Sequence, residues 1–273
     1  MTRTPGAVPV ARTRARHVFL AYLRIDIIED AMFPTSTLFR YVAVFVPVFM
    51  YLFQVEFLHA RAQYTATLIG ISVAAALQDA LTGFTSRLQF AQERGTLETY
   101  LVEPVSWRLI PVAMNVWRSA TGMLIAGLML AVGCVLGGAR INVANLPMFV
   151  LVLTLGVAAC NAVGLLAASF LVLFKRGEPI IALYGIAAAF LGGALFSISV
   201  LPGWLRWMSY LVPHAYVISA ERELLDPRYA GGGIPLGTAT ISLIAFCAGG
   251  FTVGLWLFNR ALQYARSIGV LST

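Results

Sequence analysis

The longest strongly charged stretch between long apolar segments of this chain runs from Arg87 to Arg108, RLQFAQERGTLETYLVEPVSWR. Arg87, Glu93, Arg94, Glu98, Glu103 and Arg108 stand there with only short apolar runs between them. Alternating carboxylates and guanidinium groups on a helix-prone stretch suit docking, because they can hold register against a charged groove on a soluble partner. A solvated connector, with Gly95 as its turn and Glu–Arg pairs for solubility, is the plainer alternative. Apolar segments of membrane-spanning length lie on both sides and would hold the stretch at a membrane face.

Catalytic chemistry is missing from the sequence. No G-x-x-x-x-G-K-[ST] occurs and the only lysine is Lys175, so no phosphate-binding loop is available for ATP. His17, His59 and His214 lack ligand spacing, and Cys134, Cys160 and Cys247 lie inside apolar segments with no C-x-x-C. Catalytic residues and metal ligands are therefore not expected. Asp79 is the one acidic residue well inside an apolar segment. It either faces protein in a pathway or sits near an interface if its span ends early.

The elements that must position these residues follow from composition. Of 273 residues, 59% are hydrophobic and 11% charged, where a soluble domain has about 25% charged. This composition implies a polytopic membrane protein. The net charge of +7 gathers at the ends of apolar segments, which fits membrane topology and anionic headgroups better than nucleic acid.

Residues 1–37 are expected to form a tail and an interfacial amphipathic helix over 11–32, with Val18, Tyr22, Ile25, Ile28 and Met32 as its apolar stripe. They lack a signal-type apolar core, so the chain is expected to enter the membrane through its first span. Residues 38–273 read as six helical spans: 38–58, kinked at Pro47, then 64–88, 109–136, 146–174, 180–200 and 236–258. Gly185, Gly192 and Gly193 suit close packing in the fifth. The segment 201–230 is too broken for a span. Trp204, Trp207, Tyr210 and Tyr216 among Pro202, Pro213 and Pro227 suggest short surface helices or a partial re-entry. Gly231–Gly233 reads as a hinge. Six spans put fourteen of the nineteen basic residues on the side of both termini, which predicts cytoplasmic termini.

ERGTLETYLVEPVSW, Glu93 to Trp107, resembles the first cytoplasmic loop of ABC-2-type transporter permeases, whose pattern is ERGTLE followed by TPVS. Glu93, Arg94, Gly95, Thr96, Leu97, Glu98, Pro104, Val105 and Ser106 occupy the matching positions. LPGWLRWMSYLVPHAYVISAER, Leu201 to Arg222, is similar to the family's segment before its last span. Glu103 departs from the pattern, where Thr is usual, and adds negative charge at the partner contact.

The resemblance implies a six-span half-transporter. It would pair with a second copy or a paralogue, and with two copies of a separate P-loop ATPase that carries the ATP and Mg. Membrane lipid would surround it. The segment around Glu93, Arg94, Gly95, Glu98 and Glu103 would be the coupling helix, and 201–225 the outer re-entrant helices. Relatives export drugs, lipid-linked polysaccharides, glycolipids or sodium. The shortage of buried charge favours an amphiphile over a hydrated ion. Asp79, Trp204, Trp207, Tyr210 and Tyr216 are the pathway or gate candidates. Gly70, Gly83, Gly185, Gly192 and Gly193 are candidates for close contact between protomers through spans 1, 2 and 5. An ATP-independent permease or channel, a sodium-extruding ABC permease and a non-transporting scaffold are the rival classes. The cell membrane of a prokaryote is the expected location.

Single cysteines at Gly95, Arg140 and Arg176 test this topology. A membrane-impermeant thiol reagent is expected to reach position 140 from outside the cell and positions 95 and 176 only from inside. Labelling of position 140 from the cytoplasm would overturn it.

Overall fold

The structure, a computed structural model, describes residues 15–43, 45–59, 61–93, 110–174, 178–229 and 232–267. Ten α-helices are described: α1 (Ala15–Met32), α2 (Pro34–Val42), α3 (Phe45–Phe57), α4 (Tyr64–Glu93), α5 (Ile110–Gly137), α6 (Leu146–Phe174), α7 (Glu178–Leu191), α8 (Gly203–Ser209), α9 (Pro213–Leu225) and α10 (Leu236–Ser267). Among these residues, five segments are long and apolar enough to cross a membrane by length and composition: α2–α3, α4, α5, α6 and α10. The helix α7 is a shorter apolar one. The fold is an all-α, multi-span bundle with a short helix before its last span.

Local chemistry sets the departures from the expected boundaries. The first span is interrupted before Pro47. Proline has no N–H for the carbonyl four residues back, Ala43, and its ring crowds that carbonyl. The chain turns there, with Val46 N–H donating to Ala43 O at 3.3 Å, and Pro47 then sits harmlessly in the first turn of α3. The fifth span ends early. Gly193 has φ +73°, Ala194 N–H donates to Ala189 O at 3.0 Å, and Gly193 N–H to Phe190 O at 2.9 Å. That crossed pair of bonds around a left-handed glycine is a Schellman stop. The 14 residues of α7 reach about 21 Å at ~1.5 Å per residue, short of a ~30 Å hydrocarbon core. Conversely, α4 runs through Glu93 rather than stopping at Leu88, because Phe84, Leu88 and Ala91 continue its buried face. The charged stretch thus begins as helix.

The stripe expected on α1 divides between two faces. Val18, Tyr22 and Asp26 are buried at four-residue spacing, while Ile25, Ile28 and Met32 are exposed. The buried face follows 18, 22, 26 and 30 because the bundle offers partners for the two carboxylates, described below.

The buried side chains form two apolar clusters. One gathers Val18 and Tyr22 of α1 with the adjoining ends of α4, α5, α6 and α10. The other surrounds α9 at the opposite end. A polar layer lies between them. Asn115 Nδ2 donates to Ala80 O at 2.9 Å and also to Asn161 Oδ1, Asn161 Nδ2 donates to Ser119 Oγ at 3.1 Å, and Arg118 pairs with Asp79 at 3.6 Å.

The glycines expected between protomers face neighbours inside the chain. A Cβ at Gly70 would overlap Ala194 O and Arg222, at Gly83 Asn115, at Gly185 Gln78, at Gly192 His214, and at Gly193 Phe196 O. Gly127 has open space around it. Gly70→Ala is therefore expected to lower thermal stability by about 1–3 kcal/mol, the usual cost of overpacking, while Gly127→Ala leaves it unchanged. Thermal unfolding in lipid or detergent checks both, and equal midpoints would contradict the packing described.

Candidate functional site

Two regions gather polar chemistry, one at each end of α4. The first begins with α9, where sequence reasoning expected aromatic gating. Its 13 residues reach about 20 Å at ~1.5 Å per residue, too short to cross, yet twelve of them are buried. It packs against α4, α6, α7 and α10. Close approach is possible because the neighbouring helices present small residues: Gly192 lies under His214 and Gly156 under Val217.

The chain between α7 and α9 leaves backbone carbonyls without helical partners, and away from water each must find a donor. Two arginines supply them. Arg222, 2% exposed, donates from Nε to Ala66 O at 2.7 Å, from Nη1 to Phe196 O at 2.9 Å and from Nη2 to Ala194 O at 3.0 Å. Arg206 of α8 donates to Ser199 O at 2.5 Å and to Leu201 O at 3.0 Å. At the far end of α9, Asn145 Nδ2 caps Leu224 O and Asn142 N–H caps Leu225 O, both at 2.8 Å.

Glu221, beside Arg222, is wholly buried, and neither carboxyl oxygen has a hydrogen-bond partner. Burial pushes this carboxyl up to about 9. His214 is equally buried, with Nδ1 3.9 Å from Cys160 Sγ and Nε2 unpartnered. Burial pushes it down to about 4. Sequence reasoning missed all three residues. The available signal was a run of small residues, Ala215, Ser219 and Ala220, interleaved with charges, which marks a helix enclosed on every side.

The gate candidates separate. Trp204, Trp207 and Tyr210 are exposed, whereas Tyr216 is buried and donates its hydroxyl to Tyr210 O at 2.9 Å. Asp79 lies far from them, in the polar layer with Arg118. Pro47 and Gly192 stand at the α2–α3 break and beneath α9.

The second region is the α1 end. Asp26, 2% exposed, pairs with Arg87 of α4. Burial pushes the Asp26 carboxyl above its ordinary range, against the opposing pull of Arg87. One turn along α1, Asp30 accepts from Trp117 Nε1 of α5 at 2.7 Å and pairs with Arg40 of α2 at 3.6 Å. So α1 clasps the ends of α4 and α5 that flank the expected coupling stretch. Glu93 is the last residue of α4, and Arg94, Gly95, Glu98 and Glu103 lie outside the described residues. Among the described residues, no cluster of His, Cys, Asp or Glu could hold a metal ion.

A family model described as ABC-2 type transporter matches residues 19–225, which takes in α1, the spans through α7, and the α8–α9 segment. The chain belongs to the ABC-2 type transporter family. No curated protein matches it. As an ABC-2 permease it is a multi-pass membrane protein and the membrane component of an ABC transporter, a class that pairs with a separate nucleotide-binding ATPase subunit. Its enclosed α9 is the family region that the Leu201–Arg222 resemblance picked out.

The three-carbonyl role of Arg222 makes a specific demand. Arg222→Lys keeps the charge but cannot reproduce a planar fork reaching three acceptors. It is expected to lower stability by about 2–4 kcal/mol, from buried carbonyls left unpaired. The exposed Arg228→Lys is expected to change it by less than about 0.5 kcal/mol. Thermal unfolding of the two variants side by side checks this, and equal midpoints would remove the proposed role.

Proposed function

We propose that this ABC-2 permease is the membrane subunit of an ATP-driven exporter that moves an amphiphile, such as a lipid-linked glycan, a glycolipid or a hydrophobic drug, out of the cytoplasm or inner leaflet. The observation that carries the substrate class is a cleft of about 350 Å³ between α4 and α7, lined by Gln78, Thr82, Thr85, Ser86, Gln89, Phe90, Ile181 and Ala182. Among the described residues its lining holds amides, hydroxyls and apolar surface and no ionic side chain. That combination suits a neutral hydrogen-bonding head attached to an apolar tail. A small hydrated cation would want converging oxygen ligands of high charge.

Coupling runs through the 87–108 loop. Two copies of a P-loop ATPase, carrying ATP and Mg, dock on Glu93, Arg94, Gly95, Glu98 and Glu103 at the cytoplasmic face, where both termini also lie. Hydrolysis tilts this stretch, and α4 and α5, which enter and leave it, carry the motion inward. The re-entrant α8–α9 segment closes the outer side, with Trp204, Trp207, Tyr210 and Tyr216 at the exit and Asp79 on the way to it. A second copy or a paralogue completes the pathway. The least-packed span, α2–α3, supports that reading, as does its exposed aromatic ladder of Phe45, Phe49, Phe53 and Phe57. The host membrane is the cell membrane of a prokaryote.

Co-expression with a P-loop ATPase encoded beside this gene tests the assignment. The two chains are expected to copurify, and the permease alone to hydrolyse no ATP. Glu98→Lys is expected to cut transport more than tenfold while the complex still assembles. Full transport by a purified permease without any ATPase would refute it.

A further inference from the structure

Glu221 is a group that the transport reading does not use and that the packing does not satisfy. On α9, His214, Val217 and Glu221 follow one another along a single face. His214 meets Cys160, and Val217 meets Gly156, so this face lies along α6. Glu221 continues it one turn further, wholly buried, with both oxygens unpartnered.

The charged and titratable groups on the surrounding helices are engaged elsewhere or stand apart. On α4, Tyr64 donates to Gly133 O and Asp79 pairs with Arg118. On α6, Cys160 faces His214. On α7, Tyr184 is half-buried, and on α10, Cys247 donates to Leu155 O. On α9 itself, Glu223 accepts from Leu236 N–H, and Arg222 is committed to its three carbonyls, about 100° round the helix from Glu221. Among the described residues, an ionised carboxylate in this seat would have neither counterion nor donor, and burying one so is far costlier than burying the neutral acid.

We propose that Glu221 is a proton-binding site that locks the outer gate. The carboxyl holds its proton while α9 is seated among α4, α6, α7 and α10. When α9 leaves that seat the O–H bond breaks, the proton passes to water and the carboxylate is hydrated. This rests on the reading of α8–α9 as the outer gate and adds a ligand to it, the proton.

The sign follows from linkage. The seated state binds the proton more tightly than the hydrated one, so rising pH favours opening. The window runs from the ordinary carboxylate value up to that of the seated group. His214 acts in the opposite sense, since its buried neutral form must charge on hydration, but only below its ordinary value near 6.5. Measurements between pH 7 and 9 therefore isolate Glu221.

The test uses the full chain in complex with its ATPase in lipid nanodiscs, with the three native cysteines replaced by alanine. Spin labels at Leu211→Cys, just before α9, and Val150→Cys on α6, both exposed positions, report the gate distance by electron–electron resonance. The open fraction is expected to rise from pH 7 to 9, by at most about tenfold per pH unit for one proton. In Glu221→Gln, which keeps the shape, and Glu221→Leu, which suits an apolar seat, it is expected to stay flat within twofold. An equal pH response in all three chains would overturn the proposal. A distance that changes with nucleotide but not with pH would overturn the proton site and leave the gate standing. A distance fixed under every nucleotide and pH would defeat the gate reading itself, and the proton site with it.

Discussion

A polypeptide that breaks its helix away from water must find a donor for every carbonyl it frees. That constraint shapes one whole end of this bundle. The chain leaves α7 through a glycine stop, wanders over residues 192–202, and returns as α9. Two guanidinium groups, Arg206 and Arg222, take up four of the exposed carbonyls between them. The Arg222 fork also reaches Ala66 at the start of α4. Gly70, one turn on, leaves room for the fork because it has no side chain. Removing either partner of this arrangement exposes backbone, so these bonds hold α9 in its seat.

The helix α4 connects that arrangement to the other end. Its 30 residues span about 45 Å at ~1.5 Å per residue. It touches the Arg222 fork near its start, the Asn115–Asn161 and Asp79–Arg118 layer in its middle, and the Asp26 clasp near its end. Directional bonds at three heights thus tie one helix of this ABC-2 permease to both ends of the bundle.

Most of the architecture was legible in the sequence because lipid-length apolar runs leave few alternatives to helix. The broken segment before the last span was legible from its prolines and tryptophans. The buried charges were not. Glu221 and Arg222 lie in AERELL, which reads as the polar face of a surface helix, and only the packing of α9 on four neighbours reveals that both are buried. Asp26 and Asp30 lie off the apolar stripe expected on α1, since periodicity counts carboxylates as outward-facing. Their partners, Arg87, Trp117 and Arg40, come from three other helices, and no local pattern predicts such a meeting. By its neighbours in sequence Gly193 reads as a packing residue, but its positive φ makes it the stop that shortens α7.

The depth of α9 also bears on biogenesis. Thirteen residues that include Glu221, Arg222 and Glu223 offer an insertion machinery no apolar run long enough to release into lipid. The segment must be drawn in afterwards, by the walls that α4, α6, α7 and α10 provide. Because α10 follows α9 in the chain yet forms part of its enclosure, the pocket is complete only once the last span has been synthesised. A chain truncated before Leu236 would therefore hold its spans in the membrane with α9 still outside its seat.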